Sequence, residues 1–371
     1  MKATPLTKLL TRKHQLERVE GLLAHPAEHR DMEWLELALQ SAVSVEFSTI
    51  PPYLCALWSI HDENHEVAAS IRNVVQEEML HMSLACNMLT ALGRVPKISD
   101  PKMVPSYPGR IPGGVHPDLT VSLSGLSDAS LDIFIQIEAP SLYEPKQMSR
   151  KKKKISKKSK KTTRSTKKTP EDPKRSPSYK SIGEFYDAIL KAFELHNPKL
   201  NPDRQVSGPL AYMVMEDLEA VRAAIKLIKD QGEGSEKSPT VKRTHELAHF
   251  YRFQEIREGR HLSDFKNKIP IYKGPVIERP DAWPVAVVPK GGYLQKNVPA
   301  DVWKLIDDCD QTFTQLLNRL QVVWQHGDQG ALVHAIETMF GLSQQARSLM
   351  SIKIKGTRGN YGPCFRFLGG A

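Results

Sequence analysis

The chain has 371 residues, 40% of them hydrophobic and 25% charged, an ordinary globular composition that excludes a disordered or fibrous protein. Its four cysteines, Cys55, Cys86, Cys309 and Cys364, lie far apart without a CxxC, so neither a disulfide framework nor a thiolate metal site is expected, and they read as reduced thiols. The net charge of +10 is local: 14 Lys and Arg fall between Arg150 and Arg175 against only Glu171 and Asp172, which leaves the rest of the chain slightly acidic.

Residues 1–30 form an N-terminal extension without the apolar core of a secretory signal, so the protein is expected to be intracellular, cytoplasmic or nuclear. No stretch approaches the ~20 uncharged apolar residues of a membrane span, so no membrane partner is expected. A first helix is predicted over residues 31–49, where Met32, Leu35, Leu39 and Ala42 step by threes and fours, and the next position on that stripe is Glu46. Pro51 and Pro52 predict a kink before the helix continues to Ile60. A second helix over 64–92 carries the stripe Ile71, Val74, Glu78, His81, Ala85, Met88 and Leu92 and ends at Gly93. Two ionisable residues thus occupy positions that should face the core.

A proline-rich crossover follows, with one short strand predicted in the alternating LTVSL. The third helix is capped near Ser127, and its stripe of Leu131 and Phe134 leads to Glu138 before Pro140 ends it. Residues 149–178, rich in lysine and without apolar periodicity, read as a disordered insertion that serves as a polyanion or nuclear-import contact, or as a solvated loop without a partner. Ser181 and Glu184 form a capping box for the next helix. A helix over 215–231 buries Leu218, Val221, Ile225 and Ile228 and stops in QGEG. Another over 244–257 places Glu246, His249, Phe253 and Ile256 on one stripe. Two amphipathic helices, 301–325 and 330–350, complete the chain as packing elements.

Glu-x-x-His sets a carboxylate and an imidazole one turn apart on one helix face, where both can reach a single metal ion. The spacing occurs at Glu78/His81, Glu246/His249 and Glu258/His261, and the last falls off its helix stripe at Gly259. Glu46 and Glu78 lie equally far from a turn near residue 62, so an antiparallel pair brings them level. Buried carboxylates need partners, and two divalent cations would neutralise the set Glu46, Glu78, Glu138 and Glu246, with His81 and His249 each adding a nitrogen. Glu233 in QGEG rivals Glu138 for the remaining position, and Glu184 is a more distant rival already explained by capping. The competing reading pairs these residues by hydrogen bonds without metal. Oxygen and imidazole donors suit iron first, with manganese or zinc as alternatives, and no haem is implied. His61 and His65 at a polar turn read as solvated. Phe47, Tyr53, Trp58, Phe250 and Tyr251 flank the proposed ligands, mostly as core, with one or two lining a pocket.

The class that follows is mainly α: a ferritin-like four-helix bundle over 31–262 interrupted by the lysine-rich insertion, with a C-terminal helical elaboration over 263–371 packed on it. The motifs VEFSTIPPYLCALWSI, VVQEEMLHMSLACNMLTALG, VPSYPGRIPGGVHPDLTVSL, IQIEAP, SIGEFYDAI, IKLIKDQGEG, ELAHFYRFQEI and GPCFRFL occur in order. This chain thereby resembles the ferritin-like domain of the iminophenyl-pyruvate dimer synthase family from about residue 31 to 368. The resemblance implies a metal-binding bundle linked to oxidative coupling of amino-acid-derived imines, and it extends to Glu46, Glu78, His81, Glu138, Glu233, Glu246 and His249. The expected function is therefore a di-iron or di-manganese oxidoreductase acting on a small imine or indolic substrate in specialised metabolism. The alternatives are a non-catalytic metal-binding scaffold and a nuclear interaction protein using the lysine run. Oligomeric state is left open.

Overall fold

A computed structural model describes residues 25–141, 181–208, 213–234, 238–241, 246–266 and 269–369. The lysine-rich insertion and most of the N-terminal extension lie outside the described residues. The first helix, α1 (Met32–Ser59), starts where the Asp31 side chain accepts the Trp34 N–H at 2.8 Å. It runs through Pro51 and Pro52 as one helix of 28 residues, where the sequence predicts a kink. Each proline leaves the carbonyl four residues earlier without its helical donor. The Ser48 carbonyl, which Pro52 cannot pair, accepts the Tyr107 hydroxyl at 2.8 Å from the proline-rich crossover. That outside donor removes one cost of continuing the helix.

The second helix, α2 (Glu66–Ala91), is the antiparallel partner of α1 and ends at Gly93, whose φ of +77° suits the left-handed turn. The rest of the bundle is built from four shorter helices: α3 (Asp128–Ile137), α4 (Ile182–His196), α5 (Leu218–Gly232) and α6 (His249–Glu258). α3 packs on α6 and α4 on α5, while α1 touches α3 and α4 and α2 touches α5 and α6. The third and fourth rods of the bundle are therefore each interrupted, between α3 and α4 and between α5 and α6. Trp34, Leu35, Leu39, Ile71, Phe134, Phe185, Phe193 and Phe253 fill the core. Each such side chain withdrawn from water contributes roughly 1.5–3 kcal/mol, which offsets the cost of placing ionisable groups among them.

Three differences from the sequence reading have physical causes. Among the described residues the helix predicted over 244–257 begins only at His249, because Val241 N–H donates to the Glu246 carbonyl and Ala248 N–H to that of Pro239, both at 2.8 Å, holding Glu246 to Ala248 out of the helix. A two-stranded antiparallel hairpin, β1 (Arg260–Lys266) and β2 (Ile269–Val276), follows α6. Its mostly exposed strands lack the alternation that marks a strand in sequence. The strand predicted in LTVSL is reduced to a single bridge, Val121 to Gly109.

The last two helices, α7 (Ala300–His326) and α8 (Gln329–Met350), form a hairpin whose inner face meets the bundle. Arg347 donates to the carbonyls of Trp58, Ile60 and His61 at the end of α1. The C-terminal segment is pinned to α7 by Arg366, whose guanidinium lies 2.6 Å from the fully buried Asp310 carboxylate. No helix among the described residues is long and apolar enough to cross a membrane.

Candidate metal centre

Five ionisable side chains from four helices or their caps converge inside the bundle. Glu46 projects from the middle of α1, Glu78 and His81 from α2, Glu138 from the C-cap of α3, and His249 from the first residue of α6. All five are at most 2% exposed. Ligand atoms of Glu46, Glu78 and His81 lie within 4.8 Å of one another, as do those of Glu78, Glu138 and His249. Glu78 belongs to both groups, and the two imidazoles stack between them with ring centroids 5.6 Å apart.

The remaining polar atoms of these residues are tied down from outside. Each carboxylate gives one oxygen to a hydroxyl: Tyr186 donates to Glu46 Oε1 at 2.6 Å, Thr49 to Glu78 Oε2 at 2.6 Å and Tyr53 to Glu138 Oε1 at 2.5 Å. The other oxygens face inward. Glu46 Oε2 and Glu78 Oε1 stand 3.7 and 3.6 Å from His81 Nδ1, too far for hydrogen bonds. Glu78 Oε1 and Glu138 Oε2 stand 2.8 and 3.6 Å from His249 Nδ1.

Both imidazoles are oriented through Nε2. The His249 Nε2–H donates to Glu77 Oε2 at 2.9 Å, and the His81 Nε2–H to Gln231 Oε1 at 2.9 Å. Gln231 in turn donates to Glu77 Oε1 at 2.9 Å, and the Arg252 guanidinium lies 3.0 Å from Glu77. Burial would raise Glu77, but His249 and Arg252 outweigh it and keep this carboxyl low and ionised. A carboxylate can only accept, so it fixes the proton on Nε2 and leaves Nδ1 to face the cluster. His249 Nδ1 is buried without a hydrogen bond, because its short contact to Glu78 lacks hydrogen-bond geometry. An orphaned imidazole nitrogen aimed at inward carboxylate oxygens, with no thiolate nearby, is a donor set that fits a divalent transition metal.

The electrostatics tell the same story. Burial, followed by the neighbouring Glu78 carboxylate, pushes Glu46 up to about 8, and the same two causes raise Glu138. Burial would also raise Glu78, but His249 and His81 outweigh it and hold that carboxyl well below the usual range. Burial would lower His249 and His81, yet the surrounding carboxylates raise both. Without a cation the cluster retains protons, as expected where buried acceptors outnumber positive charges.

The structure brings Glu46, Glu78, His81, Glu138 and His249 together but leaves two predicted residues outside. Glu246 lies in the extended segment before α6, with its carboxylate 3.1 Å from Arg252 and 44% exposed. Glu-x-x-His aligns its two side chains only on a continuous helix, and here the helix begins at the histidine. Glu233, the C-cap of α5, accepts the Gly183 N–H at 2.6 Å and lines a cavity beside the cluster without joining either triad. Glu184 stands in the first turn of α4, its N–H donating at 3.2 Å to the hydroxyl of Ser181, the helix's N-cap. Sequence reasoning missed Glu77, Gln231, Thr49 and Tyr186, and named Tyr53 only as an aromatic flanking the ligands. Thr49 and Tyr53 follow Glu46 at helical spacings of three and seven, a signal that was available; Gln231 and Tyr186 carry no such mark.

Residues 39–258 match the family model described as Ferritin-like, which is more than half of the chain, and the chain belongs to that family. A ferritin-like protein from Caulobacter vibrioides shares the fold with a TM-score of 0.57 and 21% identity, over 88% of this chain and 97% of that one. No curated protein matches the chain. The fold is thus a ferritin-like helical bundle, and its buried Glu and His groups can hold metal ions.

Proposed function

We propose that the chain is a dinuclear-metal oxidoreductase, related to the iminophenyl-pyruvate dimer synthases, that acts on a small amino-acid-derived imine or indolic molecule. The observation that carries the proposal is Glu78, shared by two triads of opposite outlook: Glu46 and His81 on one side, Glu138 and His249 on the other. One triad would hold each ion, with Glu78 between them, and iron or manganese suits the donors. Such ions supply reducing equivalents to dioxygen or peroxide.

The chain's own residues set the conditions. Thr49, Tyr53 and Tyr186 fix the carboxylates so that one oxygen of each faces inward. Glu77 and Gln231 hold each imidazole with Nδ1 inward. Ile137, Ile182 and Ile228 line the adjoining cavity and keep bulk water from the cluster. Three inward carboxylates against two divalent ions leave one positive charge, which suits an added anionic ligand such as hydroxide.

The size of that cavity favours a second reading. Its volume is about 10 Å³, room for a single water but not for an indole. A non-catalytic ferritin-like metal-binding scaffold needs no more space than this. The separating experiment is oxygen consumption by iron-loaded protein with imine and indolic candidates. Turnover that disappears in Glu78→Ala supports the oxidoreductase, and stable metal without turnover supports the scaffold. The segment from Arg150 to Arg175 is assigned, on charge alone, to contact with a polyanion or an import receptor.

A further inference from the structure

Glu233 is singular among the acidic residues around the centre. It lines the same cavity as Glu46, Glu78, His81 and Glu138, yet it stands at the interruption between α5 and α6 and is only half-buried. Its flanks are Gly232 and Gly234, the latter at φ +80°, and it faces Gly183 at the start of α4. Each glycine has a spatial reason. A Cβ on Gly183 would come within 2.8 Å of the Glu233 carboxylate, and one on Gly232 within 3.3 Å of Glu138 Oε2. The chain is therefore stripped of side chains where Glu233 meets the cavity.

The hydrogen-bond donors to Glu233 are neutral, and the Lys229 cation acts on it only at longer range. The carboxylate accepts from the Gly183 N–H at 2.6 Å and from the Ser181 hydroxyl. Lys229, the cation in the cavity lining, has its ammonium 2.6 Å from Asp187 instead. The opposite polar flank of the cluster, behind His249, is closed by the Arg252 guanidinium on Glu77. The Arg252 flank is thus sealed by ion pairs, since Arg252 is matched by Glu77 and Glu246, whereas Glu233 is a carboxylate held by neutral hydrogen-bond donors. A cation approaching from the Glu233 side is attracted by a carboxylate that no cationic side chain bonds directly, because Lys229 is paired with Asp187. The cavity's volume of about 10 Å³ selects for size as well: it admits an ion or a water and nothing larger.

We propose that Glu233 is the carboxylate through which divalent cations enter, binding each ion in passing and handing it to Glu138 and the inner cluster. This rests on reading the cluster as a metal centre, and it separates Glu233 from the ligands that retain the ions. Hydrogen bonds from the Gly183 N–H and the Ser181 hydroxyl hold the carboxylate at the mouth of the cavity, and the missing Cβ atoms of Gly183 and Gly232 leave it space there beside Glu138.

The test is the rate at which chelator-stripped full-length protein takes up cobalt(II), followed by visible absorption, with the final metal content measured by elemental analysis. Glu233→Gln should slow uptake at least tenfold while reaching the wild-type content, and Glu233→Asp should restore most of the rate. Circular dichroism of both variants checks the fold. Wild-type rates in Glu233→Gln would overturn the assignment by placing the route elsewhere. Loss of bound cobalt at saturation would overturn it by making Glu233 a retained ligand. Wild-type protein that takes up no cobalt would instead overturn the metal reading underneath.

Discussion

Glu78 Oε1 lies 2.8 Å from His249 Nδ1, a contact that joins the middle of α2 to the first residue of α6. The nitrogen has no hydrogen bond, and its ring is anchored from the far side by Glu77. Two adjacent residues of α2 thus address the same imidazole from opposite sides, Glu77 at Nε2 and Glu78 at Nδ1. The interruption before α6 makes this possible by placing His249, rather than a residue one turn inside the helix, beside α2.

Removing Glu77's negative charge should weaken metal binding without removing a ligand. Glu77→Gln leaves the five inward residues in place but lets the His249 ring reorient and deprives Arg252 of its partner. Loss of such an outer carboxylate typically costs 10–100-fold in metal affinity. Competition titration against a chelator should show a drop on that order with unchanged helicity, and unchanged affinity would remove Glu77 from the site.

The metal-free protein should lose stability as pH rises. Glu46 is raised from 4.5 to about 8 in the folded state, so its contribution is complete below about 4.5 and disappears as pH approaches about 8. The raised His81 and His249 act in the same direction, and the lowered Glu78 matters only in more acid solution. Thermal melts of stripped protein should therefore fall between about pH 4.5 and 8. Metal affinity should rise over the same range, because binding expels the retained protons. Calorimetry in buffers of different ionisation enthalpy would detect that release, and proton-neutral binding would contradict it.

The C-terminal elaboration depends on a charge pair remote from the centre. Asp310 is fully buried on α7 and accepts both the backbone N–H and the guanidinium of Arg366. Breaking a buried pair by removing one partner costs about 3–5 kcal/mol, and Arg366 is 24% exposed, so Asp310→Ala should fall near the lower end. Denaturant unfolding measures the loss, while metal content should stay at the wild-type level.

Deleting residues 150–175 removes the whole of the net positive charge. The deletion should abolish retention on heparin and leave metal content unchanged, with stability altered by about 1 kcal/mol or less. Salt-dependent elution of the full chain would show the counterion release expected of such a segment. Loss of metal on deletion would make the segment part of the fold.

Much of this centre was legible in the sequence, and the rest was hidden for definite reasons. Glu46, Glu78 and His81 sit on unbroken helices, where apolar spacing alone marks them as inward. His249 was found through a motif whose other half misled: the pattern assumes a helix through Glu246, but the pairing of Val241 with Glu246 keeps Glu246 out of the helix. Glu138 stood out as the end of a short stripe, and its choice over Glu233 required knowing which carboxylate the Tyr53 hydroxyl turns inward. The continuity of α1 through Pro51 and Pro52 depends on Tyr107, a donor from a distant loop that no local pattern encodes.

The most direct measurement is anomalous diffraction from crystals of protein loaded with iron or manganese, collected on either side of the metal edge. Two peaks are predicted, one among Glu46, Glu78 and His81 and the other among Glu78, Glu138 and His249, with Glu246 remaining on Arg252. No peak, or a single ion bound through Glu246 and His249, would contradict the dinuclear centre built around Glu78.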